Sequence, residues 1–266
     1  MPWVLALGSL ERTAWGKAGT ASEFLRQKAI TQVSSTLRGG CPIRRISDFV
    51  AKNKHVWLCL YFPLYVILFF TVERLTPEGG YWITDLPIDE KIPFVPQMVW
   101  AYCLYFPLFV LVGLPLLIWD GPAFKRWMYY IMTTFTITLV FDALVPNAQG
   151  LRPAGFEPEN LSGKLLALLW SVDTPTNVFP SMHVLGCVGD AVAALDSPVF
   201  SRWQKGVIIV LSAVCAASTV LVKQHAFIDL VGALVFAVPV LLIIYGGRIR
   251  SRLKERASGG AAARRK

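Results

Sequence analysis

Two of the chain's three histidines, His183 and His225, sit in short polar segments beside strongly apolar runs. The segments read Pro180-Ser181-Met182-His183 and His225-Ala226-Phe227-Ile228-Asp229, and Arg152-Pro153 precedes both. An imidazole next to hydrocarbon is costly unless it has a role. An arginine, a serine, two histidines and a carboxylate are the parts needed to hold a phosphate group and displace it. His225 and Asp229 are spaced i, i+4, so on a helix beginning near Ala226 they lie one turn apart. The carboxylate can then accept one imidazole N–H, fix the tautomer, and stabilise the cation formed when the other nitrogen attacks. His183 stands at the start of an apolar run, where a helix N-terminus offers free N–H groups to an anion. Ser181 adds a hydroxyl to that seat, and His183 is placed to protonate a leaving oxygen and later to deprotonate water. The Arg152 guanidinium fork suits two phosphate oxygens. Asn147 and Gln149, just upstream of Arg152, are further donors, and Lys223 adds a cation two residues before His225. Each residue alone also reads as a satisfied core histidine, an interior-paired aspartate or an ordinary loop arginine. Their order and spacing together carry the signal.

These groups need elements to position them, and the composition says what kind. The chain is 55% hydrophobic and 16% charged, against roughly 25% charged in a soluble domain. Apolar runs fall at about 56–73, 97–118, 127–145, 182–199, 206–222 and 226–245, most of them near bilayer-spanning length. The expected fold is therefore all-α: a polytopic membrane protein with six transmembrane helices. The formal net charge of +9 does not point to nucleic acid, because of where the cations lie. Of the 26 Lys and Arg, nine precede the first run and eight follow the last. Four more, Lys125, Arg126, Arg202 and Lys205, lie in the connections after the second and fourth runs. With six spans all of these share one side, which the positive-inside rule makes cytoplasmic. The basic tails are also suited to contact anionic lipid headgroups. Arg152, Ser181, His183, Lys223 and His225 then all belong to outer connections, as a single site requires.

The expected organisation is a basic cytoplasmic tail over 1–54, a membrane domain over 55–246, and a basic disordered tail over 247–266. A surface helix is anticipated over Ser22–Val33 in the first tail. The acidic loop after the first run reads as a structured turn or re-entrant segment. The connection from Pro146 to Pro180, with a short helix from Leu161 to Trp170, is long enough to be functional. Trp57, Trp100, Tyr102, Trp119, Trp127 and Trp203 lie near run ends and read as interfacial anchors. Asp142 and Asp190 fall inside runs and read as interior hydrogen-bonding groups. The five cysteines lack metal or disulfide spacing and read as small apolar fillers. Residues Met1–Leu10 have their cations after the apolar stretch, the wrong order for a cleaved signal, so the first span is expected to direct insertion. The compact size and absence of a targeting pattern point to a bacterial plasma membrane.

The three segments resemble the signature of the type 2 phosphatidic acid phosphatase (PAP2) superfamily: Lys-x6-Arg-Pro, Pro-Ser-Gly-His and Ser-Arg-x5-His-x3-Asp. Arg152-Pro153 matches the end of the first part, with Val145 at the lysine position. Pro180-Ser181-Met182-His183 matches the second, with Met182 in place of glycine. Ser218, His225 and Asp229 match the third, with Thr219 at the arginine position. The likeness spans roughly residues 90 to 245 and extends to bacterial members and the related inositol-phosphorylceramide synthases. It implies a PAP2-like helical bundle in which His225 is a nucleophile forming phosphohistidine, Asp229 orients it, and His183 is acid and then base. It also implies that Arg152, Ser181, Lys223 and Ser218 serve the phosphoryl oxygens, and that neither metal nor cofactor takes part.

The expectation is thus a membrane enzyme hydrolysing a lipid phosphomonoester or diphosphate at the outer face. The same groups serve a transferase that moves a phospho-headgroup to a lipid alcohol. A non-enzymatic membrane protein with a vestigial site is the rival from another class, and intact His183, His225 and Asp229 speak against it.

Overall fold

The computed structural model describes residues 42–76 and 79–263, and its contacts divide the chain into two units, Met1–Lys54 and His55–Lys266. In the first unit, helix α1 covers Pro42–Lys52. Ile43, Ile46, Phe49 and Val50 recur at helical spacing, and Pro42 opens the helix where its missing N–H costs nothing. Asn53 closes it, donating from Nδ2 to the Phe49 carbonyl at 2.9 Å. This helix was not expected, because its period is too short to stand out in a polar tail. The helix anticipated over Ser22–Val33 lies outside the described residues.

The second unit is a helical bundle. Helix α2 (Tyr61–Leu75) follows a 3-10 stretch over Lys54–Leu60. A short helix α3 (Val99–Cys103) leads into α4 (Tyr105–Trp119), and α5 (Gly121–Leu144) follows. Helix α6 (Leu161–Val172) lies within the long connection, at the place anticipated. Helices α7 (Met182–Asp196), α8 (Arg202–Leu221) and α9 (Phe227–Ala263) complete the order. Local chemistry sets several starts. Asp120 accepts from the Ala123 N–H at 3.1 Å to cap α5, and Asn160 caps α6 through Gly163 at 2.9 Å. Ser201 and Gln204 form a reciprocal capping box on α8. Helix α9 runs on through Ala263, so the described part of the tail is helical where disorder was expected. Its Arg, Lys, Glu and Ala residues are strong helix formers.

Five stretches are long and apolar enough to cross a membrane: Lys54–Leu75, Pro96–Trp119, Gly121–Leu144, Arg202–Leu221 and Phe227–Arg248. The exception among the six anticipated spans is α7. Its 15 residues give about 22 Å at a rise of about 1.5 Å per residue, short of a hydrocarbon core of roughly 30 Å. It packs against α4, α5, α8 and α9 and forms the centre of the bundle. Gly186 permits this, since a Cβ there would overlap the Tyr105 ring. The outer faces of α2, α4 and α9 carry exposed Ile67, Leu111 and Val235, the pattern expected of a surface facing lipid. The buried aspartates Asp190 and Asp142 each accept a hydrogen bond: Trp127 Nε1 donates to Asp190 Oδ1 at 3.0 Å, and Asn147 Nδ2 to Asp142 Oδ1 at 2.9 Å. Trp57, Trp100, Trp119 and Trp203 are exposed as anchors should be, but Trp127 and Tyr102 are buried.

The connections knit the two ends differently. At one end Trp82–Ile83 (β1) pairs in parallel with Asn147–Ala148 (β2), and Ala148 bridges to Thr176. At the other end Ser197 Oγ donates to Asp120 Oδ2 at 2.7 Å, while Asp196 pairs with Arg126 and Arg248, each at 2.5 Å.

Candidate active site

His225 lies in the turn between α8 and α9, two residues ahead of the helix that carries Asp229. The turn is sharp: Lys223 takes a left-handed backbone with φ of 54°, and the Gln224 and His225 N–H groups both return to the Thr219 carbonyl, at 3.0 and 3.1 Å. Asp229, in the first turn of α9, accepts the Ala226 N–H on Oδ2 at 2.8 Å. The same oxygen is 3.4 Å from His225 Nδ1, which is also 3.0 Å from the Val178 carbonyl. Two oxygen acceptors face Nδ1, so the proton belongs there and Nε2 keeps its lone pair.

His183 is the second residue of α7, behind the Ser181 cap, whose Oγ accepts the Val184 N–H at 3.4 Å. Its ring packs 4.3 Å from that of Tyr102 and 4.7 Å from that of Tyr105, centroid to centroid. The His183 and His225 rings are 5.8 Å apart. Two further contacts join the histidine-bearing segments: Ser181 N–H donates to the Asp229 carbonyl at 3.1 Å, and Phe179 lies against Gly232 of α9. A Cβ on Gly232 would occupy the space of the Phe179 ring.

Arg152 stands beside this pair on a polar pedestal. Its Nη2 donates to the Asp173 carbonyl at 2.6 Å and to Gln224 Oε1 at 2.8 Å, and Nη1 to the Trp170 carbonyl at 3.2 Å. The guanidinium carbon lies 5.2 Å from the Trp170 ring centroid. Nε is buried without a partner among the described residues. Burial lowers the Arg152 pKa from its ordinary value, against the opposing pull of Asp173.

The other residues anticipated as phosphate holders are occupied with scaffolding. Lys223 Nζ donates to the Asp89 and Ile92 carbonyls, each at 2.8 Å, which fastens the acidic loop. Burial lowers its pKa, against the opposing effect of Asp89. Gln149 donates to the Lys223 carbonyl at 3.0 Å and accepts the Leu151 N–H at 2.6 Å. Asn147 Oδ1 accepts the Val178 and Phe179 N–H groups at 2.7 and 2.8 Å, shaping the approach to α7. Ser218 turns its hydroxyl back to the Cys215 carbonyl at 2.6 Å. At the departures from the family pattern, Val145 is exposed and Thr219 is buried, donating to the Ala216 carbonyl at 2.7 Å.

Four residues here escaped sequence reasoning. Gln224 touches Arg152, and its place beside His225 was the available signal. Tyr102, read as an interfacial anchor, is 1% exposed and lies against His183. Its hydroxyl donates to Asp173 Oδ2 at 3.1 Å, and burial raises the Asp173 carboxyl above its ordinary pKa. Asp89 reaches across from a distant loop and accepts the Phe227 N–H at 2.7 Å, serving the start of α9. Nothing local in the sequence announces that contact. Among the described residues, no group of three or more His, Cys, Asp or Glu side chains is placed to hold a metal ion. Compared with family models, curated proteins and solved structures, the chain finds no match in any of the three.

Proposed function

We propose that this protein is an integral-membrane phosphatase of PAP2 type, which hydrolyses a lipid phosphomonoester or diphosphate through a phosphohistidine on His225. The observation that carries the reading is the state of His225: Nδ1 is fixed by Val178 and Asp229, and a second imidazole, His183, lies 5.8 Å away. In the first step His225 Nε2 forms a bond to phosphorus while the P–O bond to the leaving group breaks. The leaving oxygen takes the Nε2 proton of His183, and the charge on the His225 ring is shared with Asp229. In the second step His183 Nε2 accepts a proton from water, whose oxygen bonds to phosphorus as the P–N bond breaks. Inorganic phosphate leaves and both imidazoles are restored. Arg152 and the N–H groups at the start of α7 offer the positive field for the phosphoryl oxygens.

The proposal includes six passes, with α7 as a short inner span, both termini in the cytoplasm and the site facing outward. The cation distribution supports it, since Lys125, Arg126, Arg202 and Lys205 lie near the starts of α5 and α8, at the end away from the histidines. The test is to incubate the purified protein with a panel of lipid phosphates, with and without a lipid alcohol, and to follow free phosphate and transferred product. Free phosphate from at least one lipid phosphate is expected. Exclusive transfer to the alcohol would replace hydrolysis with headgroup transfer, and no turnover of any kind would overturn the reading.

A further inference from the structure

Between His183 and the loop that holds Arg152 runs a continuous line of hydrogen bonds. His183 Nδ1 is 3.3 Å from the Tyr102 hydroxyl, which donates to Asp173 Oδ2 at 3.1 Å. The tyrosine proton is directed at the carboxylate, so the oxygen presents a lone pair to the imidazole, and Nδ1 carries a proton. Asp173 acts with both of its parts: the carboxylate takes Tyr102, and the backbone carbonyl takes Arg152 Nη2 at 2.6 Å. The next residue, Thr174, accepts from Gln224 Nε2 at 3.5 Å through its carbonyl, and Gln224 in turn takes Arg152. One short segment therefore ties His183 to the Arg152 guanidinium.

We propose that Tyr102 and Asp173 are positioning residues for His183, holding its Nδ1–H so that Nε2 serves the leaving group and then water. This rests on the phosphoryl-transfer reading given above. A neutral imidazole with Nδ1 protonated has its lone pair on Nε2, which is the form needed to deprotonate water. The imidazolium needed to protonate the leaving oxygen is stabilised by the same acceptor line, as a carboxylate behind a catalytic histidine stabilises it elsewhere. The groups facing His183 are Tyr102 from α3, Tyr105 from α4 and His225 from the α8–α9 turn. Those facing Asp173 are Tyr102, Arg152, His225 and Glu73. Tyr102 and His225 belong to both sets, and among the described residues it is the tyrosine hydroxyl that links the imidazole to the carboxylate.

Tyr102→Phe keeps the ring against His183 and removes only the link, and Asp173→Asn keeps an acceptor while removing its charge. With the full chain in detergent, Tyr102→Phe is expected to lower kcat on an alkyl phosphate by roughly tenfold or more, with KM little changed. The alkaline limb of its pH–rate profile should move to lower pH, because an imidazolium deprived of its acceptor gives up its proton more readily. The loss should shrink on p-nitrophenyl phosphate, whose leaving group needs no proton. Asp173→Asn should fall between wild type and Tyr102→Phe. An equal loss on both substrates with an unmoved profile would overturn the proposal.

A second measurement does not depend on turnover. With only three histidines, 15N-imidazole NMR resolves each tautomer. His183 should be Nδ1-protonated in the wild type and shift toward Nε2 protonation in Tyr102→Phe. An Nε2-protonated His183 in the wild type, or no change in the variant, would overturn the proposal whatever the activity. Should the wild type release no phosphate while the tautomers behave as expected, the phosphatase reading falls and the hydrogen-bonded line stands.

Discussion

His183 and His225 are both gripped at Nδ1, one by a tyrosine hydroxyl and the other by a carbonyl and a carboxylate. The shared grip leaves Nε2 on each ring for the phosphoryl transfer proposed above. His225, His183 and Asp229 were legible in the sequence because histidine is scarce and the i, i+4 spacing is preserved even though His225 stands outside the helix. Lys223 and Asn147 were expected at the phosphate and here bond to backbone and Asp142, because residue type reveals donor capacity and not which acceptor a fold will supply. Arg152 was identified, but its hydrogen bonds to Trp170, Asp173 and Gln224 depend on chain far from it in sequence. Arg152→Lys tests that geometry. An ammonium cannot reproduce a planar fork serving three acceptors, so kcat/KM for phosphate release should drop by about tenfold or more, equivalent to ~1.4 kcal/mol of transition-state stabilisation. An unchanged kcat/KM would mean that only the charge matters.

Among the elements, the α8–α9 turn does the most to build the site. The acidic loop is fastened to it twice, by Lys223 Nζ on two carbonyls and by Asp89 at the first N–H of α9. That loop was anticipated as structured from its proline and glycine punctuation. Its attachment was not, since a cap supplied by a loop 138 residues away leaves no local pattern. Lys223→Ala should destabilise the protein by about 1–3 kcal/mol, because two carbonyls lose their donor while the Cβ at positive φ is kept. Lys223→Gly loses the same hydrogen bonds but relieves the backbone, so its Tm in detergent should exceed that of Lys223→Ala. Equal Tm values would show that the left-handed turn carries no strain.

For the whole molecule, the long apolar helices were readable as runs of hydrophobic residues, and the alternation of cations gave their expected direction. The central helix α7 was harder to judge. Its Gly186 and other small residues serve packing on every side, so its sequence is governed by neighbours more than by lipid. Its 15 residues reach the plane of the site at one end and the Asp196 ion pairs at the other. The proposed six-span topology predicts the sidedness of each loop. In a background lacking the five native cysteines, Glu90→Cys and Glu159→Cys should both react with an impermeant thiol reagent in intact cells. Gln204→Cys, an exposed position at the opposite end, should react only after permeabilisation. If Gln204→Cys reacts in intact cells together with Glu159→Cys, α7 does not complete a pass and the six-span topology fails.

The central claim is that a phosphoryl group rests on His225 during turnover. Rapid alkaline quenching, which preserves phosphohistidine, followed by peptide mass spectrometry tests it directly. Protein mixed with p-nitrophenyl phosphate should carry a phosphoryl group on His225, and His183→Gln, which lacks the base for water, should accumulate more of it. His225→Ala should carry none, with phosphate release reduced on the order of 10³-fold or more. A His225→Ala protein that still turns over near the wild-type rate, or a label found on another residue, would contradict the account.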